Sequence, residues 1–127
     1  MALSQSVRRG DVYLIQLDPT RESEIRKTRP CLVVSPDELN HHLRTVIVAP
    51  MTTGGQAYPW RLACRFQNRA GFIAVDQLRA VDMERIAKRL GKMNPNTLLS
   101  ALNILQNVLC LMSTARMTAD CYYRKRH

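Results

Sequence analysis

The chain has 127 residues, 46% of them apolar and 23% charged, with 19 Lys and Arg against 10 Asp and Glu for a net charge of +9. This is the size of one domain, large enough to bury a core that needs no metal or disulfide. No apolar stretch reaches the roughly 18 residues of a membrane span, and the N-terminal MALSQSVRRGDVY lacks the long apolar centre of a secretory signal, so a soluble, cytoplasmic protein is expected.

The elements follow in chain order. GDVYLIQLD, 10 to 18, is rich in β-formers and opens after a glycine, which predicts a strand. A charge-dense stretch, DPTRESEIRKTRP, 18 to 30, leads to a second strand in PCLVVS, 30 to 35. PDELNHH reads as one helical turn, and TVIVAPMT, 45 to 52, as a third strand. RLACRF, 61 to 66, and GFIAVDQLRAV, 71 to 81, give a fourth and a fifth, while MERIAKRLGKM, 83 to 93, suits a short helix or a strand equally. Asn94 followed by Pro95 marks a helix start, a capping side chain and then a proline at the first helical position. Leu98, Leu102, Leu105, Leu109 and Met112 recur at helical spacing, widened by Leu99, Ala101, Ile104, Val108 and Leu111, which suggests burial against a sheet and a partner subunit on the other side. Five or six short strands and one packed helix point to a small, strongly bent sheet or barrel. One domain over 1–127 is expected, with its core at about 8–112 and a mobile basic tail, 115–127.

Cys31, Cys64, Cys110 and Cys121 fit no zinc spacing; the first three lie in apolar or strand-like contexts and read as reduced, buried thiols. His41 and His42 read as a solvated loop pair rather than metal ligands. Charge is more informative. No acid occurs from Leu39 to Val75, where Arg44, Arg61, Arg65 and Arg69 fall, nor from Ile86 to Ala119. Such a field attracts polyanions, although simple solubility explains the composition equally well.

RRGDVYLIQLDPTRESEIRKTRPCLVVSPDELN, then TVIVAPMTTGG, then GFIAVDQLRAVDMERIAKRLGKM, resembles the MazF/PemK/Kid family of toxin endoribonucleases over about residues 8 to 112. The specific parts are G-D-V-Y opening strand one, L-D-P-T closing it, S-E-x(4)-R-P entering strand two, a threonine pair ending strand three and D-Q-x-R on strand five. The resemblance implies a mainly β (α+β) fold: a small SH3-like barrel with a short helix after strand two and a packed C-terminal helix. It implies a homodimer that cleaves single-stranded RNA at short sequences without a metal or cofactor. It also implies a cognate acidic antitoxin (MazE/PemI-like) over the RNA-binding face. Carried over residue by residue, it assigns catalytic roles to Glu24, Arg29, Thr52 and Asp76, and RNA contacts to Ser23, Lys27, Thr53, Gln77 and Arg79. Two loop positions depart from the common P-T-x-G-S-E-Q form: Glu22 stands for its glycine and Ile25 for its glutamine.

These residue types suit RNA cleavage on chemical grounds. The 2′-hydroxyl must lose a proton, attack phosphorus and expel the 5′-oxygen, which requires a base, a stabiliser of negative charge and a proton source. Glu24 is the candidate base and Asp76 its rival. Arg29 offers a planar fork to phosphate oxygens and Thr52 a hydroxyl. Arginine is a poor acid, so the leaving oxygen takes its proton from water or a neutral carboxylic acid. Tyr58 and Trp60 suit stacking on bases or filling a hinge equally. Arg79, Arg85, Lys88 and Arg89 suit phosphates or a solvated edge. Two other readings stay open. A CcdB-type toxin that binds DNA gyrase shares the fold, but relies on a Trp-Gly-Ile ending where this chain has Arg-Lys-Arg-His. A catalytically inactive nucleic-acid- or antitoxin-binding module is the other.

Overall fold

The computed structural model describes residues 7–17 and 28–111, apart from the side chain of Leu111. Seven strands run in the order β1 (Asp11–Gln16), β2 (Thr28–Val33), β3 (Thr45–Thr52), β4 (Arg61–Phe66), β5 (Arg69–Ala74), β6 (Arg79–Asp82) and β7 (Ile86–Lys92). Helix α1 (Asp37–His42) lies between β2 and β3, and α2 (Pro95–Leu111) follows β7. Every pairing is antiparallel, in the sheet order β4-β5-β3-β2-β1-β7, with β6 also on β3. The mainly β class and both helices are as expected.

Two details differ from expectation. The apolar run 71–81 is not one strand but β5, a 3-10 turn at Val75–Gln77, and β6. β5 pairs with the end of β3 at Met51 and Thr52, and β6 with its start at Thr45 to Val48. The turn lets one chain segment flank β3 twice, so the strand count is seven. The sheet is also not closed: β4 and β7 are the ends of its path. Across that seam the Gln67 side-chain amide, Nε2, donates to the Leu90 carbonyl at 2.8 Å. Gly91, at φ +154°, leaves room for the Phe66 ring, which a Cβ there would meet at 3.3 Å.

Strands β1 to β3 are near-continuous apolar runs because both their faces are buried. Tyr13, Ile15, Cys31, Val33, Val46 and Val48 pack on one face with Val81 and Ile86. Val12, Leu32, Ala49, Met51 and Ile73 pack on the other, under Ala101, Leu98, Leu102 and Leu105 of α2. The Asn94 carboxamide accepts from the Asn96 amide at 2.7 Å, which caps α2 as expected, with Pro95 as its first residue. Leu99 and Leu109 stay largely exposed on its outer side. Helix α1 is tied to the sheet by buried Asn40 and Ser35. The Asn40 amide donates to the Ser35 carbonyl at 3.0 Å, and the Ser35 hydroxyl accepts from the Ile47 amide at 3.0 Å. His41 and His42 are exposed, on the last turn of α1 rather than in a loop.

Cys31 and Cys64 are free thiols as expected. Cys110 is not: it is disulfide-bonded. Disulfide connectivity is not deducible from spacing alone, so the pairing was not legible in the cysteine pattern.

Candidate functional site

Strands β2 and β3 set the first part of the site. Their register pairs Cys31 with Pro50; Arg29 stands two residues before Cys31 on β2, and Thr52 ends β3 two residues after Pro50. Residues two apart on a strand share a face of the sheet, which puts Arg29 on the face of Cys31. Arg29 is exposed and Thr52 half-buried. Arg79 joins them from β6, where it is paired with Val48. Its guanidinium donates to the Leu17 carbonyl at 3.2 Å, at the point where the 18–27 segment begins. Both guanidiniums act on the buried Cys31 thiol. Burial pushes that thiol up to about 12, and the positive charges of Arg29 and Arg79 only partly oppose the rise.

Thr52 is held by its own turn, its hydroxyl donating to the Gly54 carbonyl at 3.1 Å. Gly71 on β5 is obligatory beside it, because a Cβ there would stand 2.2 Å from the Thr52 carbonyl oxygen. A cavity of about 340 Å³ opens next to the threonine pair, with Pro30, Met51, Thr52, Thr53, Gln67 and Arg69 in its wall. Leu14, Phe66 and Leu90 add apolar lining.

Asp76 and Gln77 occupy a different setting, the 3-10 turn after β5, and both are exposed there. Asp76 is already engaged: Arg61 Nε donates to Oδ1 at 2.8 Å and Nη2 to Oδ2 at 3.2 Å. This fork holds the Asp76 carboxyl below the usual carboxylate range. Arg61 in turn lies 6.0 Å from the centroid of the Tyr58 ring, and Tyr58 stacks on Trp60 with centroids 5.2 Å apart and planes 6° from parallel. Glu24, Ser23, Lys27, Glu22 and Ile25 lie outside the described residues.

Sequence reasoning missed Arg61 as the partner of Asp76, because 15 positions and a hairpin separate them. It also missed the buried carboxylate of Asp11, in the G-D-V-Y motif. Asp11 accepts from the Arg8 amide at 3.0 Å, from Arg89 at 3.2 Å and from the Tyr13 hydroxyl at 3.4 Å. This cluster anchors β1 to β7. Arg89 is therefore tied to Asp11 on the edge of the sheet, whereas Lys88 is exposed beside it. Among the described residues no cluster of His, Cys, Asp and Glu is arranged to hold a metal ion. No described helix is long and apolar enough to cross a membrane.

Comparison with known proteins agrees with this architecture. The chain is 32% identical over 109 residues to the endoribonuclease PemK of Escherichia coli, covering 81% of this chain and 82% of that one. It is 31% identical over 90 residues to the endoribonuclease toxin MazF of E. coli strain K12, covering 70% and 81%. A mycobacterial endoribonuclease solved in complex with its cognate antitoxin superposes with a TM-score of 0.71 at 23% identity, covering 82% and 95%. The MazE–MazF complex of Deinococcus radiodurans gives 0.71 at 23%, covering 81% and 95%. The model of the PemK-like, MazF-like toxins of type II toxin–antitoxin systems matches residues 8–109, and the chain belongs to that family.

Proposed function

We propose that the chain is the toxin of a type II toxin–antitoxin pair, an endoribonuclease that cuts single-stranded RNA, mRNA included, in the cytoplasm and so arrests translation and growth. The observation that carries this reading is that paired strands β2 and β3 bring Arg29 and Thr52 to the same end of the sheet, at the stem of the segment that carries Glu24. The relatives named as endoribonucleases support it at about one third identity over most of the chain.

In this mechanism the RNA supplies its own nucleophile. Glu24 accepts the proton of the 2′-hydroxyl, and the oxygen attacks the adjacent phosphorus. Arg29 grips two phosphate oxygens with its planar fork, and the Thr52 hydroxyl turns from Gly54 to a third, so that growing negative charge meets fixed donors. The 5′-oxygen leaves with a proton from water or a carboxylic acid. No step needs a metal. Asp76 is the weaker candidate for the base, since both its oxygens are held by Arg61. Ser23, Lys27, Thr53, Gln77 and Arg79 contact the strand around the cut. A second copy of the chain completes a homodimer, and an acidic, MazE/PemI-like antitoxin segment covers the face.

The test is incubation with mixed single-stranded RNA in EDTA. Fragments ending in 2′,3′-cyclic phosphate and beginning with 5′-hydroxyl are expected, with strands 2′-O-methylated at the cut left intact. Cleavage abolished by EDTA, or fragments with 5′-phosphate ends, refutes the mechanism in favour of metal-activated water.

A further inference from the structure

The loop that leaves Thr52 for β4 carries two exposed aromatic rings. Tyr58 and Trp60 keep 42% and 39% of their surface in water. They lie nearly parallel, 5.2 Å between centroids. Their backbone is fixed: the Arg61 amide donates to the Tyr58 carbonyl at 2.9 Å, and the Val75 amide to the Trp60 carbonyl at 3.2 Å. Arg61 braces the stack from Tyr58, and Asp76 holds Arg61 by two hydrogen bonds. The loop also folds back on this brace, since a Cβ on Gly55 would stand 3.8 Å from Arg61 Nη1. Gly54, one residue earlier, accepts the Thr52 hydroxyl. One short, internally bonded loop therefore connects the aromatic stack to the threonine.

A rigid, flat, neutral π-face on water suits a planar ring better than an aliphatic side chain, which needs walls to bury it. The segment from Leu39 to Val75 has no acid, so the surroundings favour a polyanion. We propose that Tyr58 and Trp60 form a stacking platform for one nucleobase of the RNA strand beside the cleaved step, and that Asp76, acting through Arg61, is the positioning residue that keeps the platform in place. This rests on the ribonuclease reading above and gives Asp76 a role other than proton acceptance.

Trp60 is the one tryptophan of the chain, so fluorescence excited selectively at tryptophan reports on the platform alone. A fully 2′-O-methylated single-stranded oligonucleotide of mixed sequence, with an end label for anisotropy, is the probe. Saturable quenching of Trp60 in step with the anisotropy change is expected. Binding seen by anisotropy without quenching overturns the platform, and so does quenching by an acidic peptide alone. Cleavage kinetics complete the test. Base stacking is worth about 1–3 kcal/mol, so Trp60→Ala raises KM about 5- to 150-fold with kcat within about 3-fold, and Trp60→Phe restores most of it. Asp76→Asn shifts KM in the same direction and leaves the pH profile of kcat unaltered. If instead Asp76→Asn lowers kcat by about 10² or more at constant KM, Asp76 is the base and the positioning role fails. A chain that quenches with the oligonucleotide but leaves ordinary RNA uncut keeps the platform and loses the ribonuclease reading. A chain that cuts RNA without quenching does the reverse.

Discussion

The sharpest contrast between residues is between two arginines of one type and opposite employment. Arg61 is mostly covered and spends its fork on Asp76. Arg29 is exposed on β2, with its guanidinium near enough to Cys31 to bear on that thiol. If Arg29 grips a phosphate at two points, charge alone does not replace it. Arg29→Lys keeps the charge and loses the planar fork, so single-turnover cleavage should fall nearly as far as in Arg29→Ala, by about 10²–10³. An exposed residue costs the fold little, so thermal unfolding should be unchanged. Cleavage by Arg29→Lys near the parent rate would reduce Arg29 to a part of the general field. Cys31 beneath it makes a separate prediction. Its thiol is raised from 9.0 to about 12 by burial. Below about pH 9 the thiol is neutral in both states and this stability is fully present. As pH rises toward 12 the unfolded chain ionises first and the stability is lost. Tyr13, raised from 10.0 mainly by burial, adds to the same alkaline loss. The urea midpoint should fall over this window, and Cys31→Ala should flatten the fall, with Tyr13 and the half-buried Cys64, whose thiol burial also raises, as the remainder.

Among the elements, β3 organises the site. It takes β2 on one edge, and on the other β6 at its start and β5 at its end. The contact with β5 is close only because Gly71 has no side chain. Gly71→Ala should drive β5 off the Thr52 carbonyl, costing about 1–3 kcal/mol in urea unfolding. A displacement of about 1 Å at a reacting group can cost about 10² in rate, so cleavage should fall more than stability explains. Gly54→Ala is the control, since a Cβ there meets nothing within 4 Å and the carbonyl that receives Thr52 remains. Equal losses in the two variants would mean that the β3–β5 approach is not what sets Thr52. The same elements explain what was legible in the sequence. β3 and β4 matched residue for residue, because dense β-formers between turn residues leave little choice. The run 71–81 hid its break, because Val75 continues the apolar pattern while Asp76 and Gln77 turn outward. β7 was ambiguous because it lies at the end of the sheet path, pairs with β1 through two register shifts, and exposes Ala87, Lys88 and Arg89 in succession. Arg29 and Thr52 were legible as motif residues, but that they end neighbouring strands follows only from the β2–β3 pairing.

At the scale of the whole molecule, three of the described acids are locally engaged. Asp11 holds Arg89, Asp76 holds Arg61, and Asp37 accepts from the Arg9 amide at 2.7 Å. The net charge of +9 is thus expressed mainly by exposed cations such as Arg29, Arg44, Arg65 and Arg69. For an RNA-binding chain this field determines affinity more than cleavage position, because phosphate neutralisation releases counterions whatever the base sequence. Arg124, Lys125 and Arg126, in the tail beyond the described residues, should add to the same effect. Replacing those three by Gln leaves Cys121 in place and takes the net charge from +9 to +6. Each phosphate contact on a single strand contributes about 0.7 to the slope of log affinity against log salt. Binding of the 2′-O-methylated oligonucleotide should therefore lose up to about 2 units of slope, while the positions cut in ordinary RNA stay the same. An unchanged slope would remove the tail from the binding surface, and a changed set of cut sites would mean that it reads bases rather than phosphates.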